Sequence, residues 1–355
     1  MKSNNKKVLA ALSGGVDSAV IAAILKQDGF NVSGLFLNLG QVNKKEDEKN
    51  AKLVAKKLKI PLKIVNIKKE FKKEVIDYFL KEYASGNTPN PCIMCNKKIK
   101  FGLLYHIAKK EKFDYLATGH YIRKLQINSK NKIQKSKVIY KIYKAKDKKK
   151  DQSYFLYNLK QSQLEYLIFP LGKYLKDDII KIAKKLNLPV SKKESQDICF
   201  LKGIDHNLFL KKHLNLKIGD IITIDGKKIG KHEGLPLYTV GQRRQIKIGG
   251  IGPFYAVKMD YKKNILIVTD KFDDKILYKK ELEAKSLNWI AKQKPKLPLK
   301  CEAKIRYLHP TQNCVVFQEK NKYRIKFLKP QRAVTPGQSI VFYKKNELLG
   351  GGIIK

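Results

Sequence analysis

The sequence has no long apolar run. Its longest apolar stretches, such as Tyr166–Pro170, fall far short of the roughly 18 residues that span a bilayer, which excludes a helical membrane protein. The run Val8–Leu12 follows Lys6 and Lys7, but Asp17 soon interrupts it. A signal peptide needs a core of about 7–15 apolar residues, so a cytoplasmic and not a secreted protein is expected. Cysteine is sparse, at five residues: Cys92, Cys95, Cys199, Cys301 and Cys314. An odd, scattered set is not a disulfide framework, and thiols in reducing cytosol serve chemistry, metals or packing. Acid is scarce, with 31 Asp and Glu against 76 Lys and Arg for a net charge of +45. Such an excess attracts polyanions, nucleic acid among them. Much of it reflects a general abundance of lysine, because arginine occurs only at 123, 243, 244, 306, 324 and 332. Those planar forks do what a lysine cannot.

What is present is a chain of 355 residues with 43% apolar and 30% charged residues, the composition of a globular protein of two or three domains. The first half alternates strands and helices. Strands are expected over Lys7–Leu12, Val32–Leu37, Leu62–Ile67 and Tyr115–Thr118, with helices over Ser18–Gln27, Glu46–Leu58, Phe71–Tyr83 and Lys97–Lys110. That alternation predicts an α/β doubly wound parallel sheet. Residues 121–150 alternate Ile and Tyr among lysines and read as a hairpin projecting from that sheet. A further helix is expected over Lys176–Leu186. After about residue 215 the helical period disappears, and short strands broken by Gly and Pro predict a small central β-rich domain followed by a C-terminal β-barrel. The expected units are 1–200, 201–278 and 279–355.

The most telling local pattern is strand, then Ser13-Gly14-Gly15-Val16-Asp17-Ser18, then helix. Paired glycines let backbone approach a ligand closely, and the helix start offers N–H groups and a positive dipole end to phosphate. Ser13 and Ser18 add hydroxyl donors, and Asp17 fits either a helix cap or a magnesium ligand. The pattern is not G-x-x-x-x-G-K-[ST]. Downstream, Thr88–Lys97 carries Cys92 and Cys95 between two prolines and a helix. With Asn96 as the N-cap, Cys95 would lie at a helix N-terminus beside Lys97 and Lys98, which lowers a thiol pKa. A C-x-x-C alone is often a metal or redox pair, and a lone cysteine such as Cys199 is often buried filler. Cys301 and Cys314 read as packing residues in strands.

The six-residue loop resembles that of enzymes that split ATP between its α and β phosphates. Together with other pieces it resembles the tRNA-specific 2-thiouridylase family. In chain order these are Thr88–Asn96, Lys100–Gly102, Ala117–Tyr121, Lys150–Leu156, Phe169–Gly172, Asp197–Phe200, Tyr238–Arg243, Pro336–Gln338 and Leu349–Gly352. The resemblance implies an ATP-dependent transferase that replaces O2 of a wobble uridine in tRNA with sulfur, releasing AMP and diphosphate, with Mg2+ and a sulfur donor such as a cysteine desulfurase or relay protein. It implies that Cys199 carries sulfur as a persulfide and Cys95 completes transfer, the pair ending as a disulfide. It assigns ATP to Ala11, Leu12, Ser13, Gly14, Gly15, Val16, Asp17, Ser18, Leu37 and Gly119. It places Asn90, Pro91 and Cys92 against the target base, and His120, Lys150, Asp151, Gln152, Arg306, Tyr307 and Gln338 on the tRNA. Some members carry Asp where this chain has Cys92, and the segment Asn38–Glu48 holds fewer acids than the family leads one to expect. Cys92, Cys95 and Cys199 are also three soft ligands suited to an iron–sulfur cluster, so persulfide and cluster both stand as readings of the sequence.

Overall fold

The computed structural model describes residues 5–40, 44–129, 137–189, 198–244, 246, 248, 252–291, 293–320 and 322–355. Strands β1 (Lys7–Ala11), β2 (Asn31–Asn38), β3 (Leu62–Asn66) and β4 (Tyr115–Ala117) form one sheet with a strand the sequence did not announce. That strand is only Leu167–Ile168, too short for any periodicity. All pairs are parallel. Two strands intervene in the chain, β5 (Ile122–Ser129) and β6 (Lys137–Lys144), so Leu167–Ile168 is β7 and the sheet order is β3-β2-β1-β4-β7. Both faces are covered, which explains why β1 reads as a continuous apolar run rather than alternating. Val8, Ala10 and Leu12 pack with Val20, Ile24 and Ile179 on one side. Leu9 meets Leu35, Phe101, Leu104 and Leu116 on the other.

The helices run slightly beyond their expected bounds. The first covers Val16–Gln27, and Gly15 takes the cap position. The second covers Lys44–Leu58. Residues Lys68–Phe71, Lys72–Ile76 and Asp77–Ala84 form one continuous run, and so do Pro91–Cys95, Asn96–Leu103 and Leu104–Lys110, each with a wide π-type middle stretch. The helix expected from Lys97 therefore begins six residues earlier, at Pro91, and Asn96 lies inside it rather than capping it. Pro at the first helical position and Asn90 just before it are a sufficient start signal: the Asn90 Oδ1 accepts from the Ile93 N–H at 3.3 Å.

The expected hairpin exists, because β5 and β6 pair antiparallel over Ile122–Ser129 and Lys137–Lys144. It does not simply project from the parallel sheet. β6 pairs with the last strand, β17 (Glu347–Ile354), and so extends the C-terminal sheet. That sheet also contains β12 (Tyr278–Trp289), β13 (Leu299–Lys304), β14 (Gln312–Glu319), β15 (Lys322–Arg332) and β16 (Ser339–Lys344). The order β12-β15-β14-β13-β16-β17 closes through β12–β17, giving a six-stranded antiparallel barrel. Closure removes the exposed edges, and Val316, Ile325, Phe327, Ile340 and Phe342 fill the interior. Cys301 and Cys314 face each other across β13 and β14, their sulfurs 3.7 Å apart, in keeping with a packing role. Between these units lies a four-stranded sheet, β8 (Gly219–Thr223), β9 (Lys228–His232), β10 (Tyr255–Asp260) and β11 (Ile265–Thr269), in the order β10-β11-β8-β9.

The stretch Ser153–Leu156 joins the first unit to the barrel. Tyr154 is fully buried, and its hydroxyl donates to the Ser339 carbonyl at 2.8 Å. The Ser153 and Tyr343 hydroxyls lie 3.2 Å apart. Buried aromatics with satisfied hydroxyls fix orientation as well as contributing apolar area.

Candidate active site

In an open parallel sheet, ligands bind beyond the carboxyl ends of the strands where the strand order reverses. Here that point lies between β1 and β4, and the chain places Leu12–Gly15 after one strand and Thr118–His120 after the other. The Ser13 N–H and hydroxyl donate to the Ser18 Oγ at 3.1 and 3.2 Å, and the Ser18 hydroxyl donates to the Gly15 carbonyl at 2.8 Å. The two hydroxyls expected to face phosphate therefore shape the loop itself. Gly14 has φ +81°, and a Cβ there would meet the Asp47 carbonyl oxygen at 2.4 Å, so the position needs glycine both for its dihedral and for the close approach of the second helix. Because a glycine holds the cap position, no side chain caps the helix that follows, which suits an incoming anion at its first N–H groups.

Asp17 neither caps the helix nor stands alone. Its Oδ1 accepts from the Tyr121 hydroxyl at 2.8 Å and from the Lys176 ammonium at 2.7 Å. Lys176 is nearly buried, with 8% of its surface exposed. No sequence motif marks it, and only the packing of the helix Lys176–Lys185 against the helix Val16–Gln27 brings it to the loop. Gly119 lies against the same loop, since a Cβ there would sit 3.7 Å from that of Asp17 and 4.0 Å from the Ser18 nitrogen. Leu37, near the end of β2, packs against the cluster containing Cys95 and also against the cluster containing Ile93.

From Gly119 the path to the thiols is short. The next residue, His120, is buried, its Nδ1 is 2.9 Å from the Thr118 hydroxyl and its Nε2 is 3.2 Å from the Asn96 Oδ1. Asn96 Nδ2 also donates to the Phe155 carbonyl. Burial, with Lys100 nearby, holds the imidazole pKa well below its usual value, so His120 is a neutral link between the nucleotide loop and the residue after Cys95. Both ring nitrogens are engaged, which leaves it no contact to offer an RNA in this conformation.

Cys95 is buried among Phe79, Ile99 and Phe200, while the Cys92 and Cys199 residues reach the surface. The three thiols share one electrostatic neighbourhood. Cys95 feels the charge of both Cys199 and Cys92, Cys199 feels that of Cys92, and the Lys100 ammonium acts on all three. Their pKa values move opposite to the expectation from the sequence. Burial pushes Cys95 up to about 12 and Cys199 up to about 11, and it raises Cys92. Desolvation of the thiolate outweighs the lysine, and Cys95, inside the helix that starts at Pro91, has no helix terminus to lower it. Lys100 is thus the cation that draws these thiols down, and Lys100→Met should slow carboxamidomethylation of Cys199, followed by peptide mass spectrometry, by at least about threefold. Lys100→Arg should restore the rate.

The three-thiol cluster site does not fit this arrangement. Among the described residues no three His, Cys, Asp or Glu side chains stand together as a metal-holding group. Asp197, next to this thiol segment, lies outside the described residues. Magnesium is a different case, because one carboxylate and a nucleotide's phosphates suffice for it, and Asp17 at the loop meets that need.

The remaining expected contacts are mostly engaged within the protein. Asp151 is buried and accepts from the Ala145 and Ser153 N–H groups and from the Ser153 hydroxyl. Gln152 accepts from the Tyr121 N–H at 3.1 Å, and Lys150 is half-buried on the same turn. The Arg306 guanidinium donates to the Val240 and Ala333 carbonyls at 3.1 and 2.9 Å, and burial lowers its pKa. Tyr307 packs on Phe155 with ring centroids 4.5 Å apart. Gln338 donates to the Thr88 carbonyl at 2.9 Å. Thr88 and Tyr121 lie in the motif segments Thr88–Asn96 and Ala117–Tyr121 without an assigned role, and Lys176 lies in none; the structure supplies the contacts of all three.

A phosphate loop at the switch point of a parallel sheet, with thiols alongside and two β units behind, defines the class of ATP-pyrophosphatase-like group-transfer enzymes. Residues 6–203 match a domain model described as a tRNA methyl transferase HUP domain, 207–270 a tRNA methyl transferase PRC-barrel domain, and 279–354 an aminomethyltransferase beta-barrel domain. The chain is 44% identical over 358 residues to tRNA-specific 2-thiouridylase MnmA 2 of Clostridium botulinum, covering 98% of both chains. It is 42% identical over 364 residues to tRNA-specific 2-thiouridylase MnmA of Coxiella burnetii, covering 99% of this chain and 98% of that one. The protein belongs to the tRNA-specific 2-thiouridylase family.

Proposed function

We propose that this protein is a tRNA-uridine 2-sulfurtransferase that uses ATP to activate the wobble uridine and a cysteine persulfide to deliver sulfur. The observation that favours the reading is that Cys95 and Cys199, from distant segments, share an electrostatic neighbourhood, with His120 linking Asn96, beside Cys95, to Gly119 at the phosphate loop. Residues Ala11 to Ser18, Leu37 and Gly119 bind ATP, and Asp17 would hold a magnesium ion, which would supply charge neutralisation for the phosphates. Attack of uridine O2 on the α-phosphate expels diphosphate and turns a poor leaving group into AMP. The terminal sulfur of a Cys199 persulfide adds to C2, and AMP departs with the former O2. The Cys95 thiolate then attacks the Cys199 sulfur. The C2–sulfur unit leaves as the thiocarbonyl, and a Cys95–Cys199 disulfide remains, which a two-electron thiol reductant must reopen.

Sulfur reaches Cys199 from a persulfide donor, a desulfurase or relay protein. The target base lies against Asn90, Pro91 and Cys92. Units 201–278 and 279–355 grip tRNA behind the catalytic unit 1–200, helped by the basic charge, with Lys150, Gln152, Arg306 and Tyr307 on the contact side. Asp151 and His120 support that surface from beneath. The site is cytoplasmic. Among the described residues no helix is long and apolar enough to cross a membrane.

The descriptions of the matching domains name methyl transfer. Methyl transfer has no use for paired thiols or for an α–β split of ATP, so sulfur transfer accounts for more of the site. Mass spectrometry of nucleosides from unmodified tRNA, after incubation with ATP and a persulfide donor, separates the readings. The expected product is 2-thiouridine, and a methylated nucleoside or no product from a folded preparation would refute the assignment.

A further inference from the structure

Thr88 is a point at which all three units touch. Its N–H donates to the Pro336 carbonyl in the turn before β16 at 2.9 Å. Its carbonyl accepts from the Gln338 side-chain amide at 2.9 Å. Its hydroxyl lies 3.0 Å from that of Thr239, in the central unit. The fit is close: Gly337 has φ +87°, and a Cβ there would stand 2.7 Å from the Asn87 Cβ and 2.8 Å from the Thr88 nitrogen. The central and C-terminal turns are themselves locked together, because Arg306 holds the Val240 and Ala333 carbonyls at once.

Two residues beyond Thr88, Asn90 caps the helix that carries Cys92 and Cys95. Pro89 and Pro91 flank that cap, and their fixed φ leaves little slack to absorb a displacement. A shift of either β unit at Thr88 is therefore passed to the helix start rather than lost in a flexible loop. From this geometry we infer that Thr88 is the node through which the two β units set the reacting helix, and that Thr239 and Gln338 are positioning residues for sulfur transfer. This rests on the sulfurtransferase reading above. It also gives Gln338 a role distinct from a plain tRNA contact, since its amide is already committed to the Thr88 carbonyl.

The test is steady-state thiolation by the full-length protein with ATP, a persulfide donor and an unmodified tRNA transcript. Thr239→Val keeps the shape and removes the hydroxyl, Gln338→Leu removes the amide, and Thr239→Ser keeps the hydroxyl. For Thr239→Val and Gln338→Leu, kcat should fall about tenfold or more, with KM for tRNA and ATP affinity within about twofold of the parent protein. Thr239→Ser should work nearly as well as the parent. A merely structural role would lower ATP affinity along with kcat, and that result would overturn the inference. So would an unchanged kcat, or a Gln338→Leu effect confined to KM for tRNA. A parent protein that forms no 2-thiouridine defeats the functional reading itself, whereas an active parent with unaffected variants defeats only the coupling through Thr88. Because Thr239 is half-buried and its valine replacement is nearly isosteric, at least one informative variant keeps its fold.

Discussion

Cys199→Ser and Cys95→Ser should each cut 2-thiouridine formation at least about a thousandfold, with ATP and tRNA affinity unchanged. Serine matches cysteine in shape but forms neither a persulfide nor a disulfide. The two variants should also differ from each other. Cys95→Ser should still accept sulfur on Cys199 from the donor, seen as a mass increase of one sulfur atom on that peptide, and should then stall. Cys199→Ser should accept none there. Persulfide appearing on Cys95 instead would reverse the two roles. Cys92→Ser should retain most of its thiolation, and its total loss would revive a three-thiol mechanism. The raised pKa values give this chemistry a pH signature. In the tRNA-free protein Cys199, pushed up to about 11, is overwhelmingly the neutral thiol at pH 7. Its alkylation should speed up by about tenfold for each pH unit up to that value. A plateau near pH 8 would mean that the thiolate is stabilised after all.

Lys176→Met and Asp17→Ala should each lower ATP-dependent AMP formation at least about a hundredfold, measured with tRNA and without a sulfur donor. The physical reason is the charge that develops on diphosphate as the α–β bond breaks. A near-buried ammonium at 2.7 Å from Asp17 is held at the loop in advance, so it needs no reorganisation when that charge appears. Methionine keeps the length and apolar stem but not the cation. The two losses should differ in ligand dependence. Lys176→Met should weaken ATP binding while leaving AMP binding nearly as before, because ATP brings the additional phosphate charge that a cation at the loop offsets. Equal weakening of both would reduce Lys176 to a strut between two helices. Lys176→Arg should recover part of the activity.

Much of the architecture was legible because it depends on local chemistry. The apolar run of β1, the Ser13–Ser18 loop and the helix after it announce a parallel sheet with a phosphate site, and Gly and Pro punctuation announces the later β units. Asn90 and Asn96, six positions apart, are equally good cap residues by type, and the structure starts the helix after Asn90, at Pro91. Propensity does not distinguish Asn90, with its bond to the Ile93 N–H, from Asn96, whose amide turns to His120 and Phe155. The hairpin Ile122–Lys144 was legible as a hairpin, yet its attachment to β17 is a pairing between residues about two hundred positions apart, beyond any periodicity.

The sequence alone determined which chemistry is present: a loop that takes phosphate, thiols on two segments, and an excess of positive charge. It carried these because side-chain type and spacing along a helix or strand are local properties. Tertiary structure decided the states and neighbours of those groups. It set Cys95 inside a helix rather than at its start and raised the thiol pKa values, because burial removes water from the thiolate. It paired Asp17 with Lys176 and Tyr121, and it brought Thr88, Thr239 and Gln338 together, because packing alone fixes which distant residues share a dielectric environment and a hydrogen bond.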